Sequence, residues 1–245
     1  MKREAGVTLL ELLIAISLVS LLSVGMLVAM RVGMNTMGAA NRRVAVNRRS
    51  TGAQRILEQQ LGGFLPFYAF CLAKDNPQGA KAPFFQGEPT VMQFITSYSL
   101  NEAQRGLPRI VQVFVAPGEA GDGVRLLENE HPYGGPFGAG FFCLGPEPDA
   151  LTGEPVARFN VPEQQPGSFV VADKLAAARF SYQENNNGEK PDQWLPRWAK
   201  SRWPRAIRIE VEPLRPDPSR IQPVTITVPM RITREAGEPP IVVVP

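Results

Sequence analysis

Histidine is almost absent from this sequence. His131 stands alone among 245 residues, which excludes a histidine-dependent triad and a multi-histidine metal site. Cysteine is nearly as scarce. Cys71 and Cys143 are far apart, so the chain has no closely spaced pair of the metal-ligating or redox kind. Neither common type of glycine-rich phosphate loop is present. Charge of neither sign dominates: 26 Lys and Arg face 23 Asp and Glu, and a net charge of +3 does not imply a nucleic-acid partner. The expectation is a protein that is not an enzyme and has no catalytic residues, no metal and no cofactor. Proline is missing in a different way. The chain has 24, but the first is Pro66, so its first quarter follows different rules from the rest. Over the whole chain, 24 Pro and 22 Gly fit a domain of short strands joined by many turns rather than a helical bundle.

What the first quarter has instead is a long hydrophobic run. Val7 to Met30 reads VTLLELLIAISLVSLLSVGMLVAM and carries one charge, Glu11. As a helix it would span about 36 Å, enough for a bilayer core of about 30 Å. A secretory signal peptide is the main competitor, but it has a shorter apolar region followed by a small-residue cleavage site. Here no clear A-x-A site follows, and the pattern runs on past Met30. A carboxylate inside such a span costs a few kcal/mol on insertion scales and usually marks function; the plainer reading is an interfacial glutamate near a helix end.

A short basic leader, MKREAG, precedes the run and ends in Gly6. Gly6-Val7-Thr8-Leu9-Leu10-Glu11 resembles the processing site of type IV prepilins and pseudopilins. The resemblance implies that a prepilin peptidase cuts between Gly6 and Val7, that Val7 is then N-methylated, and that the apolar helix stays on the mature chain. Val7 departs from the phenylalanine usual in the family. Glu11 takes the position of the family's glutamate, fifth after the cut. Its implied role is filament assembly, by pairing with a neighbouring subunit's terminal amine.

Nothing breaks the helical pattern between Met30 and Leu61. Met34, Met37, Val44, Ile56, Leu57 and Leu61 recur at helical spacing, which predicts an amphipathic face that packs on a domain. Gly62-Gly63 and then Pro66 supply the stop. Arg42, Arg43, Arg48, Arg49 and Arg55 could be read as a DNA-contacting stripe, but no aromatic residues interleave with them, and a solvated or subunit-facing helical face is the better reading. Arg31, Arg42, Arg43, Arg48 and Arg49 follow the span while Lys2 and Arg3 precede it, so a simple positive-inside count opposes the N-in topology that the resemblance implies.

After Pro66 the period shortens to two. Strands are expected at Thr90 to Tyr98, Ile110 to Val115, Val124 to Leu127, Leu175 to Gln183, Ala206 to Glu212 and Val224 to Ile232, the last two as a hairpin with one buried face. Pro229 points to an edge position for the final strand. Residues 128 to 168, rich in Gly and Pro, read as a long surface excursion. Cys71 and Cys143 read as one disulfide of an exported chain, with two buried thiols as the alternative. Glu184, Glu189 and Asp192 gather near Asn185 to Asn187 and could bind calcium, but the spacing matches no known loop and a polar turn is favoured.

Phe180-x-Tyr182, Gly188, Trp194, Trp198 and then Trp203-Pro204-Arg205-Ala206-Ile207-Arg208-Ile209-Glu210-Val211 are similar to the C-terminal region of J-type minor pseudopilins of the type II secretion system, with Trp203 where the family has leucine. The three tryptophans read as a sheet-covering cluster, with a sugar-binding platform as the lesser option. The two resemblances together imply a pilin-like α+β fold: a long N-terminal transmembrane α-helix packed on a C-terminal antiparallel β-sheet domain. Its segments would be a leader (1–6), a transmembrane half-helix (7–30), an amphipathic continuation (31–63) and a periplasmic β-rich domain (64–245). The implied role is a structural subunit at the tip of a periplasmic pseudopilus, single-pass in the bacterial inner membrane. Its partners would be I-type and K-type minor pseudopilins and other pseudopilus subunits, with no nucleic acid. The alternative is a minor pilin of a type IV or competence pilus.

Overall fold

The computed structural model describes residues 8–73, 76–149, 153, 155–184, 193–200, 202–214 and 224–230. At 39, 41–50, 73, 76–78, 120 and 155 it describes the backbone only. The chain divides into two units, Met1–Thr51 and Gly52–Pro245, and the division falls inside helix α1, Leu9–Gly62.

In the first unit the N-terminal half of α1 is almost wholly apolar, with Glu11 its one charge before Arg31. Leu9–Gly38 is long and apolar enough to cross a membrane, by length and composition. Its hydroxyls are satisfied internally. Ser17, Ser20 and Ser23 donate to the carbonyls of Leu13, Ile16 and Val19, and Thr36 donates to that of Val32, each at 2.8 Å. Back-bonding of this kind lets a serine sit in hydrocarbon without an unpaired donor. Met34 and Met37 are 59% and 72% exposed and belong to the apolar segment, which runs eight residues beyond Met30. Of the residues expected on the packing face, Ile56, Leu57 and Leu61 pack in the core of the second unit, and the side chain of Val44 lies outside those described.

The second unit is a β domain. Its strands are β1 (Tyr68–Ala73), β2 (Asn76–Pro83), β3 (Phe85–Gly87), β4 (Val91–Ser99), β5 (Gln104–Pro117), β6 (Val124–Pro132), β7 (Cys143–Pro148), β8 (Pro155–Phe159), β9 (Phe169–Gln183), β10 (Trp194–Leu195), β11 (Ala206–Pro213) and β12 (Val224–Pro229). A short helix, α2 (Gly135–Gly140), lies between β6 and β7. The main sheet is antiparallel, in the order β12-β11-β9-β6-β5-β4-β3, with β10 on β9. With its long apolar helix the chain is therefore α+β. The strands β1-β2 and β7-β8 form two separate hairpins. All six expected strands are present, and β12 lies at the sheet edge, where Pro229 stands opposite Ala206 of β11 and no further described strand needs its missing N–H. The turn between β11 and β12, and Ile232, lie outside the described residues.

The sheet is covered on both faces. On one, Leu57 and Leu61 of α1 pack over Phe94, Val111, Val113, Leu126, Ile207 and Ile209. Gly63 ends the helix by close approach: a Cβ there would lie 2.6 Å from Thr96 Oγ1. The other face carries the second cluster, Ala69, Cys71, Phe84, Ile95, Ile110, Ala139 and Phe159. This corrects the reading of 128 to 168 as a surface excursion. The segment completes β6 and forms α2 and the β7-β8 hairpin. Four amides also stand in register across four strands, Gln86, Gln93, Gln112 and Asn129. Gln93 donates to the Asn160 carbonyl at 2.6 Å and Asn129 to that of Glu163 at 3.0 Å, so this row ties down the chain after β8.

Candidate functional site

The start of α1 is built by Thr8-Leu9-Leu10-Glu11. Glu11 N donates to Thr8 O at 3.1 Å and to Thr8 Oγ1 at 3.3 Å, which makes Thr8 the N-cap and Glu11 the third helical residue. The T-x-x-E spacing is that of a capping box, a signal legible in the sequence that singling out Glu11 alone passes over. Glu11 is exposed in the first turn, where the helix dipole favours a carboxylate. Gly6 and Val7 lie outside the described residues.

Cys71 and Cys143 are bonded to each other, with Cα atoms 5.3 Å apart. The bond joins β1 to the start of β7 and so fastens the two hairpins together. Leu72, Phe137, Phe141 and Leu144 around it are more than half exposed, and Phe137 stacks on Phe70 at 4.7 Å.

The aromatic strand and tryptophan stretch meet in the core. Trp203 packs against Phe64 and Phe85, Tyr182 packs against Phe85, and Trp198 is buried with its Nε1 donating to the Arg202 carbonyl at 2.6 Å. Trp194 is covered by the Arg208 guanidinium at 3.9 Å. The three tryptophans therefore present no open stacking platform. Glu184 is engaged by Lys200 and Arg202, and the Lys200 hydrogen bond leads in holding its carboxyl below the usual range. A carboxylate so paired is a poor calcium ligand. Glu189, Asp192 and Asn185 to Asn187 lie outside the described residues, and among those described no three His, Cys, Asp or Glu gather as a metal site. Arg55 and Arg31 are exposed; the side chains of Arg42, Arg43, Arg48 and Arg49 are not described. His131 meets Gln112 Oε1 at 3.2 Å beside the amide row. Burial lowers its pKa, against the raising effect of Glu130.

A model of the prokaryotic N-terminal methylation motif matches residues 1–27. The chain carries a prepilin-type N-terminus. No curated protein is similar enough to the chain to count as a match. The motif and the apolar helix behind it support a type IV pilin-like protein, pilin or pseudopilin, and are consistent with single-pass membrane anchoring. Gly6, Val7, Thr8 and Glu11 fall close together in the matched stretch of sequence. The motif covers the first three of these and Glu11, and the capping geometry begins at Thr8.

Proposed function

We propose that the chain is a minor pseudopilin of a type II secretion system, a non-enzymatic subunit of the pseudopilus tip. The N-terminal methylation motif running straight into Leu9–Gly38 carries the reading. The choice of a J-type subunit rests on the C-terminal order of features. The aromatic strand with Phe180 and Tyr182 is β9, the strand after Trp203 is β11, and the two are paired with Ile207 opposite Tyr182 and Ile209 opposite Phe180. The domain stands in the periplasm and meets I-type and K-type partners. The prepilin peptidase cuts after Gly6, and Val7 is methylated.

The test is deletion of the gene, with three readouts: protein secretion, piliation and DNA uptake. Loss of secretion with normal piliation and DNA uptake supports the pseudopilin. Normal secretion with loss of piliation or DNA uptake replaces it with a minor pilin of a type IV or competence pilus, which shares every N-terminal feature.

A further inference from the structure

Gln60, on the last turn of α1, and Glu128, in the middle of β6, are 0% and 1% exposed, and Gln60 Nε2 donates to Glu128 Oε1 at 2.5 Å. Glu128 stands in an apolar row, between Val113 on β5 and Phe169 on β9, with Met92 beyond Val113. Gln60 Oε1 and Glu128 Oε2 are both buried without a partner among the described residues. Two acceptors are thus orphaned at one contact, and an ionised carboxyl has no donor to give either of them. A proton on Glu128 converts one orphan acceptor into the donor the contact lacks. We propose that Glu128 and Gln60 form a proton-dependent latch that fastens the last turn of α1 to the sheet.

The surrounding charges leave Glu128 without a cation of its own. Glu130, two residues along β6, is held by Ser99 Oγ at 2.7 Å and Leu100 N at 2.8 Å. Arg109 on β5 is 3.4 Å from Glu130 and 2.5 Å from Glu102. Arg105, also on β5, lies beside Gly62. Arg55 and Glu58 on α1 and Asp173 and Lys174 on β9 are exposed, and β4 carries no carboxylate or cation. Burial, reinforced by Glu130 and opposed by the Gln60 hydrogen bond, pushes the Glu128 carboxyl up to about 8. The other ties of this turn do not titrate: Thr96 Oγ1 donates to the Gln60 carbonyl, Ser97 N to that of Gly63, and Leu65 N to that of Ile95, each at 2.8 Å.

The pH dependence follows from linkage. The closed state holds its proton more tightly than the open state, where an ordinary glutamate titrates near 4.5. The latch is therefore at full strength below that value and weakens as pH rises towards about 8. Opening should increase about tenfold per pH unit across this window and level off above it.

The experiment is amide hydrogen exchange on the full-length chain in nanodiscs between pH 5 and 9, corrected for intrinsic rates and read over residues 53–65. Protection in the wild type should fall about tenfold per pH unit to about pH 8, while Glu128→Gln holds it constant. Constant protection in the wild type, or an equal fall in the variant, overturns the latch. If Glu128→Gln does not fold, Glu128→Met, similar in length and unable to titrate, takes its place with the same two outcomes.

Discussion

At the scale of single residues, Glu11 has two physical roles that separate cleanly. As the third residue of a capped helix it gains about 0.3–1 kcal/mol from the dipole, while as a charge in an apolar span it costs a few kcal/mol. If those were its only roles, Glu11→Leu would insert at least as well as the wild type and assemble normally. If Glu11 pairs with a neighbour's terminal amine, the same change leaves cleavage and insertion intact and weakens entry into the filament. The expected outcome is the second: reduced co-purification with I-type and K-type partners from membranes, and reduced secretion. Wild-type levels of both would leave the carboxylate with capping alone. Processing is a separate matter one turn earlier. Mass spectrometry of the protein from its native host should find a chain beginning at Val7, with Lys2, Arg3 and Glu4 removed and the net charge lowered from +3 to +2. A chain beginning at Met1, or one cut beyond Met30, is the contrary result.

At the scale of elements, the bond between Cys71 and Cys143 closes a loop of sequence separation 72, and chain entropy assigns such a loop about 4 kcal/mol. Replacing both cysteines by serine should lower stability by about that amount, read as a shift in denaturant midpoint. The Leu57–Leu61 contact with the sheet, which belongs to the other cluster, should survive. Thiol labelling of unreduced protein that modifies both residues would show that the bond does not form. The same elements mark how far the fold was legible. In β11, Ile207 and Ile209 are buried while Arg208 and Glu210 are not, so period two announced the strand. The core of β4, β5 and β6 is buried on both faces, and these strands read as short apolar runs. The hairpins β1-β2 and β7-β8 were not legible. Segments such as NPQGAKAP and CLGPEP have no alternation and many turn formers, and they are held by a disulfide and by contacts remote in sequence. Of the candidate site, the N-terminal methylation motif was legible because its spacing is local. The contact between Gln60 and Glu128 was not, because 68 positions separate the two residues.

At the scale of the whole molecule, the open choice is on which side of the membrane the β domain stands, and two physical arguments oppose each other. Arg31, Arg42, Arg43, Arg48 and Arg49 follow the first part of the apolar span against Lys2 and Arg3 before it, so a charge count alone retains the C-terminal side in the cytoplasm. Against it stand three features. Leu9–Gly38 places Arg31 inside the apolar segment rather than beyond it, so four of the five arginines remain on the far side, the first of them four residues past Gly38. The proposed pseudopilin role requires a leader cut on the cytoplasmic face, and the N-terminal methylation motif is consistent with that role. The bonded cysteines of the β domain imply an oxidising compartment, since thiols in a reducing cytoplasm stay free. The second set should prevail. Protease added to intact spheroplasts should digest the domain while cytoplasmic proteins survive, and alkaline washing should leave the undigested chain in the membrane fraction. A domain that resists protease until the spheroplasts are lysed would place it in the cytoplasm. It would then follow that the arginines set the topology, and that the pairing of Cys71 with Cys143 and the pseudopilin reading both fail with the orientation they require.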